Sequence, residues 1–165
     1  MSLRLVIMGV AGCGKSTVGA AMSEQLRIPY QDGDDLHSAD AVQKMRAGIP
    51  LDDDDRWPWL DRIAETLSNE APLIIGCSAL RRAYRNRIRT GVGGEVTFVH
   101  LAGDRDLIAS RMALRSGHYM PLSLLDSQFA TLERPGPDEA LEVTIDQSME
   151  AIVGQVLSHL GGNPQ

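Results

Sequence analysis

Apolar and polar positions alternate along the chain in a repeating order of short apolar runs and longer amphipathic stretches. Leu5-Val6-Ile7-Met8 is a continuous apolar run of strand length, as expected for a strand buried on both faces. Val18, Met22 and Leu26 then recur at four-residue spacing, which predicts a helix. Ile28 to Gln31 predicts a second strand, ending at Asp32-Gly33-Asp34-Asp35. A helix is expected over 36–47, with Ser38 as a plausible N-cap and Gly48 just past its end. Pro58 suits the first turn of the next helix, whose buried stripe is Leu60, Ile63 and Leu67. Leu73 to Gly76 predicts a third strand. After it, Leu80, Tyr84 and Ile88 share one helical face and Arg81, Arg85 and Arg89 the adjoining one. A fourth strand is expected over 96–101 and a helix over 104–115, with Leu107, Ile108 and Met112 inward. Residues 116–134 mix Gly117, His118, Pro121 and a second short helical pattern, closed by Pro135-Gly136-Pro137. A fifth strand near 142–145 and a helix carrying Met149, Ile152, Val153, Val156, Leu157 and Leu160 complete the chain, with Gly161-Gly162 as its stop.

Strands alternating with helices predict an α/β fold: one three-layer domain with a parallel sheet and helices on both faces. The 165 residues fit a single domain spanning 1–165, with 116–134 as a candidate lid. No run approaches the roughly 18 apolar residues of a membrane helix. The N-terminus enters the first strand directly and the chain holds only two cysteines, so a cytoplasmic protein without disulfides is expected. A net charge of −6 argues against nucleic acid. Fourteen of the sixteen cations are arginines, and five of them crowd into 81–89. Arginine suits bidentate capture of carboxylate or phosphate, which points to a small anionic substrate; a solvated arginine-rich helix face is the plainer alternative.

The junction of the first strand and helix carries the most specific chemistry. Gly9-Val10-Ala11-Gly12-Cys13-Gly14-Lys15-Ser16, followed by Thr17, fits the phosphate-loop pattern at every specified position. Its backbone amides and the helix N-terminus converge on phosphate oxygens. Lys15 reaches the β- and γ-phosphates, and the Ser16 hydroxyl ligates Mg²⁺. The GTPase motifs D-x-x-G and N-K-x-D are missing, and the third strand ends at Cys77-Ser78 with no acid to hold a metal. The nearest carboxylates by topology are Asp32 and Asp34, which point to one side if the chain stays extended. One would hold hydrated Mg²⁺ and the other would orient and deprotonate an attacking hydroxyl; an aspartate-rich turn is the alternative. Arg111 and Arg115, four apart, would aim two guanidinium groups from a lid at the transferring phosphoryl group, unless they pair with Asp104, Asp106 or solvent. At a helix N-terminus Cys13 is expected to have a lowered thiol pKa and to be sensitive to oxidants.

Four segments carry a resemblance to a known family. They are the loop from Met8 to Thr17; Asp32-Gly33-Asp34-Asp35-Leu36-His37; the stretch from Gly48 through the aspartate run to Arg56-Trp57-Pro58-Trp59-Leu60; and Cys77-Ser78-Ala79-Leu80-Arg81-Arg82-Ala83-Tyr84-Arg85. Gln128-Phe129 and Thr131-Leu132-Glu133 with Pro135 extend it. The chain resembles the small gluconate kinases, relatives of shikimate kinase. That resemblance implies MgATP-dependent phosphorylation of D-gluconate to 6-phospho-D-gluconate by a homodimer with a five-stranded parallel sheet and a lid. It assigns ATP to Gly9 through Thr17 with Arg111 and Arg115, and the metal to Ser16 and Asp32. Lys15, Asp34 and Arg115 become catalytic. Asp34, His37, Arg56, Ser78, Arg81 and Arg85 fall on the gluconate side, without fixing which of them meets the carboxylate. A shikimate- or nucleoside-monophosphate-type kinase, or a nucleotide-gated binding protein, remains open at this stage.

Overall fold

A computed structural model describes residues 3–114 and 122–161. Five parallel strands form one sheet in the order β2-β3-β1-β4-β5: β1 Arg4–Met8, β2 Tyr30–Asp32, β3 Leu73–Gly76, β4 Thr97–Ala102 and β5 Leu141–Thr144. The apolar run of β1 occupies the centre because both of its edges and both of its faces are covered. Leu5 opposes Ile74 on one side and Thr97 on the other. Its alternate side chains feed two separate cores. Leu5 and Ile7 pack with Val18, Met22, Ile108, Val143 and Val156, whereas Val6 and Met8 pack with Trp59, Ile63, Leu67, Tyr84 and Ile88.

The helices are α1 Lys15–Leu26, α2 Ala39–Arg46, α3 Asp53–Asn69, α4 Arg82–Val92, α5 Arg105–Ala113, α6 Leu122–Thr131 and α7 Met149–Gly161. The first core lies beneath α1, α5, α6 and α7, and the second beneath α3 and α4. Such a doubly covered sheet collects ligands at the carboxyl ends of its strands, where the order reverses around β1 and β3.

Three elements depart from the sequence expectation. Residues Gly33–Leu36 wind into a 3₁₀ turn, so α2 begins only at Ala39, with the Ser38 hydroxyl accepting the Ala41 amide. The aspartate run is the first turn of α3 rather than a lead-in to it. Asp52 and Asp55 form a reciprocal capping box, and the acids face the positive end of the helix. Pro58 therefore stands in the second turn of α3. Helix α5 ends at Ala113, two residues short of the expected bound. Of the candidate lid, 116–121 lies outside the described residues; the described part is a helix whose Leu125 is fully buried in the first core.

Candidate active site

The chain leaves β1 into the loop, where Gly9, Gly12 and Gly14 adopt positive φ of 149°, 79° and 102°. Side chains are strained in that region, so the tight path depends on glycine. Helix α1 starts at Lys15 with no capping side chain and no acid in its first turn. The first-turn amides thus remain available to an anion. Other loop amides are engaged within the fold: Gly9 N–H donates to the Ser78 carbonyl (3.3 Å), Cys13 N–H to Val10 (3.3 Å) and Ala11 N–H to the Gln128 side chain (2.6 Å). Ala11 and Cys13 were expected to offer their amides to phosphate, and here both serve the loop's own architecture. Lys15 Nζ donates to the carbonyls of Gly9 and Val10, at 2.9 and 3.0 Å.

A cavity of about 200 Å³ opens over this loop, lined by Gly12, Gly14, Lys15 and Ser16 on one side and Tyr30, Asp32 and Asp34 on the other. Tyr30 packs against Gly19 through its ring and against Gly76 through its hydroxyl, where a Cβ would collide with it. Sequence reading missed Tyr30, whose only signal was its place on the strand that ends at Asp32. The acids meet here by a different route from the one expected. The chain does not stay extended: Asp32 Oδ1 accepts the Asp34 N–H at 2.9 Å and starts the 3₁₀ turn. That turn, rather than strand alternation, brings both carboxylates to the cavity.

Partial enclosure raises the Asp34 carboxyl above the ordinary carboxylate range, the Asp32 charge raises it further, and Lys15 opposes both. The Asp34 side chain is nevertheless 77 % exposed, so water screens it in part. The oxygens of Ser16, Asp32 and Asp34 are hard donors suited to Mg²⁺. Among the described residues no cluster of three or more His, Cys, Asp or Glu is placed to hold a metal by itself.

The expected acceptor side begins next to Asp34. His37 Nε2 lies 3.8 Å from Asp34 Oδ1, and the ring stacks on Trp59 at 4.2 Å and 16°. Trp59 is fixed in turn by donating Nε1–H to the Gly33 carbonyl at 2.7 Å. Burial, with Arg62 and Arg56 nearby, lowers the His37 pKa to about 4, so the ring is neutral near pH 7. Arg56 Nη1 donates to Asp53 (3.2 Å) and to the Tyr84 hydroxyl (3.1 Å), and its guanidinium lies over the Tyr84 ring. Arg81 is exposed at the N-cap of α4, close enough to Asp53 and Tyr84 to act on their protonation. Ser78 is half-buried two residues past the end of β3, beside the phosphate loop.

Arg85 belongs elsewhere. It is 1 % exposed, and its guanidinium is taken up by Glu139, the Ala79 carbonyl and the Glu133 carbonyl. The resemblance placed it among the gluconate residues, but those bonds lock it into the fold. Cys13 also departs from expectation. Its thiol is buried, and desolvation outweighs the lowering by Lys15 and by backbone N–H groups, so its pKa is raised rather than lowered. Arg111 does not line the cavity; its Nη2 donates to the Ile145 carbonyl at 2.7 Å. Its neighbour Met112 packs against Gly12 of the loop. Arg115, expected in the lid, lies outside the described residues. A larger cavity of about 400 Å³ opens beyond Val10, but its Leu101, Phe129 and Leu132 walls are ill suited to phosphates.

A family model described as shikimate kinase matches residues 11–159. The chain is 42% identical to the thermoresistant gluconokinase of Escherichia coli K12 over 159 residues, covering 92% of this chain and 90% of that protein. It is 44% identical to the thermosensitive gluconokinase of the same organism, covering 86% and 77%. The crystal structure of a gluconokinase from Sinorhizobium meliloti 1021 superposes with a TM-score of 0.90 at 43% identity, over 98% of this chain and 95% of that one. A phosphate loop facing paired carboxylates, on a sheet of this order and with relatives this similar, places the chain in the shikimate kinase family, among its gluconokinases.

Proposed function

We propose that this protein transfers the γ-phosphoryl group of ATP to the 6-hydroxyl of D-gluconate, giving 6-phospho-D-gluconate and ADP. The observation that carries this reading is the cavity in which Lys15 and Ser16 face Asp34, with His37 3.8 Å from Asp34 and Arg56 beside His37. The first-turn amides of α1 and the Lys15 ammonium bind and neutralise the phosphates. Asp34 accepts a hydrogen bond from the attacking hydroxyl, orients it in line with the phosphorus and takes its proton. Its raised pKa suits a base that must return that proton after transfer. Ser16 and Asp32 would hold Mg²⁺, which supplies charge neutralisation between the phosphates.

An aldonate presents one carboxylate and a row of hydroxyls. Arg56 and Arg81 offer guanidinium groups for the former, and neutral His37 and Ser78 offer hydrogen bonds for the latter. Two buried free thiols, and no helix among the described residues long and apolar enough to cross a membrane, support a cytoplasmic location. A homodimer is the assembly the family resemblance implies, and sedimentation velocity measures it directly.

ADP release from MgATP with a panel of aldonates tests the reading. Rapid turnover with D-gluconate and only background release with ATP alone is the expected result. Equal turnover with shikimate or a nucleoside monophosphate, or ATP binding with no turnover, would overturn it.

A further inference from the structure

The phosphate loop is tied to the rest of the fold by few backbone hydrogen bonds. Three of its residues are glycines at positive φ, and its Cys13–Val10 and Lys15 bonds are internal to the segment. Among the described residues its backbone makes two hydrogen bonds to the rest of the chain ahead of α1. One is the 3.3 Å bond from Gly9 to Ser78, and the other is the 2.6 Å bond from Ala11 N–H to Gln128 Oε1. The second is much the shorter, and it spans 117 residues of sequence.

Gln128 is well placed to hold something still. Its helix, α6, is anchored by Leu125 in the first core and by Asp126, which pairs with Arg105 on α5 at 2.7 and 3.4 Å. Just past the helix, Glu133 N–H donates to the Leu80 carbonyl (2.7 Å), and Glu133 Oε1 accepts the Arg82 N–H (2.9 Å). One short element is therefore bonded to the donor loop through Gln128 and to the acceptor-side segment through Glu133. Ala11 itself lines the phosphate cavity. An acceptor on its amide fixes the orientation of that peptide and satisfies its single donor, so that phosphate oxygens meet the amides further along.

We propose that Gln128 is a positioning residue of the ATP site. It holds the Ala11 amide, and thereby sets the entry half of the loop in the conformation that presents Gly12, Gly14, Lys15 and Ser16 to the nucleotide. A merely space-filling glutamine would matter to stability and to both substrates alike; a positioning one matters to the nucleotide alone.

The test is Gln128→Met, which keeps the length of the side chain and removes the acceptor, with Gln128→Ala as the second variant. Both are expected to raise the KM for MgATP and the Kd for ADP about fivefold, the equivalent of ~1 kcal/mol for one hydrogen bond. The KM for gluconate and kcat stay within twofold, Tm is unchanged, and hydrogen exchange at the Ala11 amide accelerates. Nucleotide affinity matching the wild type in both variants overturns the proposal. So does a parallel rise in both KM values with a lowered Tm, which marks general loosening. The inference rests on the loop being the nucleotide site, and the wild type's own ADP affinity reports on that separately.

Discussion

Arg85 and Glu139 form a two-pronged ion pair, Nε to Oε1 at 2.7 Å and Nη2 to Oε2 at 3.2 Å, with side chains 1 % and 7 % exposed. Arg89 adds a further bond to Oε1 at 3.1 Å. Removing one partner of a buried pair leaves an uncompensated charge, which costs about 3–5 kcal/mol. Arg85→Ala should therefore lower stability by about that amount in urea denaturation, and Arg85→Lys should recover only part, because an ammonium cannot reproduce the fork. Arg81, four residues earlier and exposed, should behave in the opposite way. Arg81→Ala is expected to leave the urea midpoint unchanged and to raise the KM for gluconate about tenfold, the effect of one lost charge-assisted bond.

That contrast shows where sequence reading stops. Periodicity placed Arg81, Arg85 and Arg89 on one stripe of a helix; Arg85 and Arg89 lie on α4, while Arg81 is its extended N-cap. Which of them is covered depends on residues 133–139, some fifty positions away, and no local pattern encodes that contact. The same division holds elsewhere. The β1 run, the phosphate loop and the five-strand sheet follow from short-range patterns of burial and spacing, and they are legible. The meeting of Asp32 and Asp34 was legible, but not its cause, since a carboxylate capping its own turn competes closely with an extended strand. The tie between Ala11 and Gln128 spans most of the chain, and only a quoted motif around Gln128 hinted that the position mattered.

In the proposed reaction Asp34 takes the hydroxyl proton, and its partial enclosure and the neighbouring Asp32 both oppose its charge. A carboxyl with a raised folded pKa favours folding when protonated and opposes it when ionised. Asp34→Asn should consequently leave Tm equal to or slightly above that of the wild type at pH 7, while kcat falls by two or more orders of magnitude, the scale of a lost general base. ATP affinity should change far less. In the wild type, kcat/KM for gluconate should fall on acidification at a pH above the ordinary aspartate range, because the base must be deprotonated to act. Normal turnover in the Asn variant would remove Asp34 from the reaction.

His37 gives the protein an acid sensitivity of its own. Its pKa falls from 6.5 to about 4 on folding, chiefly through burial and then through Arg62 and Arg56. The unfolded chain therefore binds more protons between those pH values, so stability is full above about pH 6.5 and declines toward pH 4. Phenylalanine keeps the stack on Trp59 and cannot titrate. His37→Phe should flatten the fall of Tm between pH 6.5 and 4.5 relative to the wild type, with the two curves closest above pH 7. Identical slopes in thermal melts across that range would show that His37 is not the group responsible.

Cys13 sits in the most reactive position that local chemistry can offer, in a phosphate loop two residues before the lysine and at a helix N-terminus. Those features stabilise a thiolate, and in an open loop they would make it a target for oxidants and alkylating reagents. The thiol, however, points under the loop against Gly9, and it is buried. Desolvation there outweighs the pull of Lys15 and of the backbone amides, and the thiol stays protonated. Cys77 is more deeply enclosed, with its pKa pushed up to about 12. Iodoacetamide at pH 7.5 should therefore leave the folded enzyme active and unmodified, as read by mass spectrometry, and should label both cysteines once urea unfolds the chain. Rapid labelling of Cys13 in the folded state, with loss of activity that MgATP protects, would mean that the loop opens far enough to expose its underside and that burial does not govern this thiol.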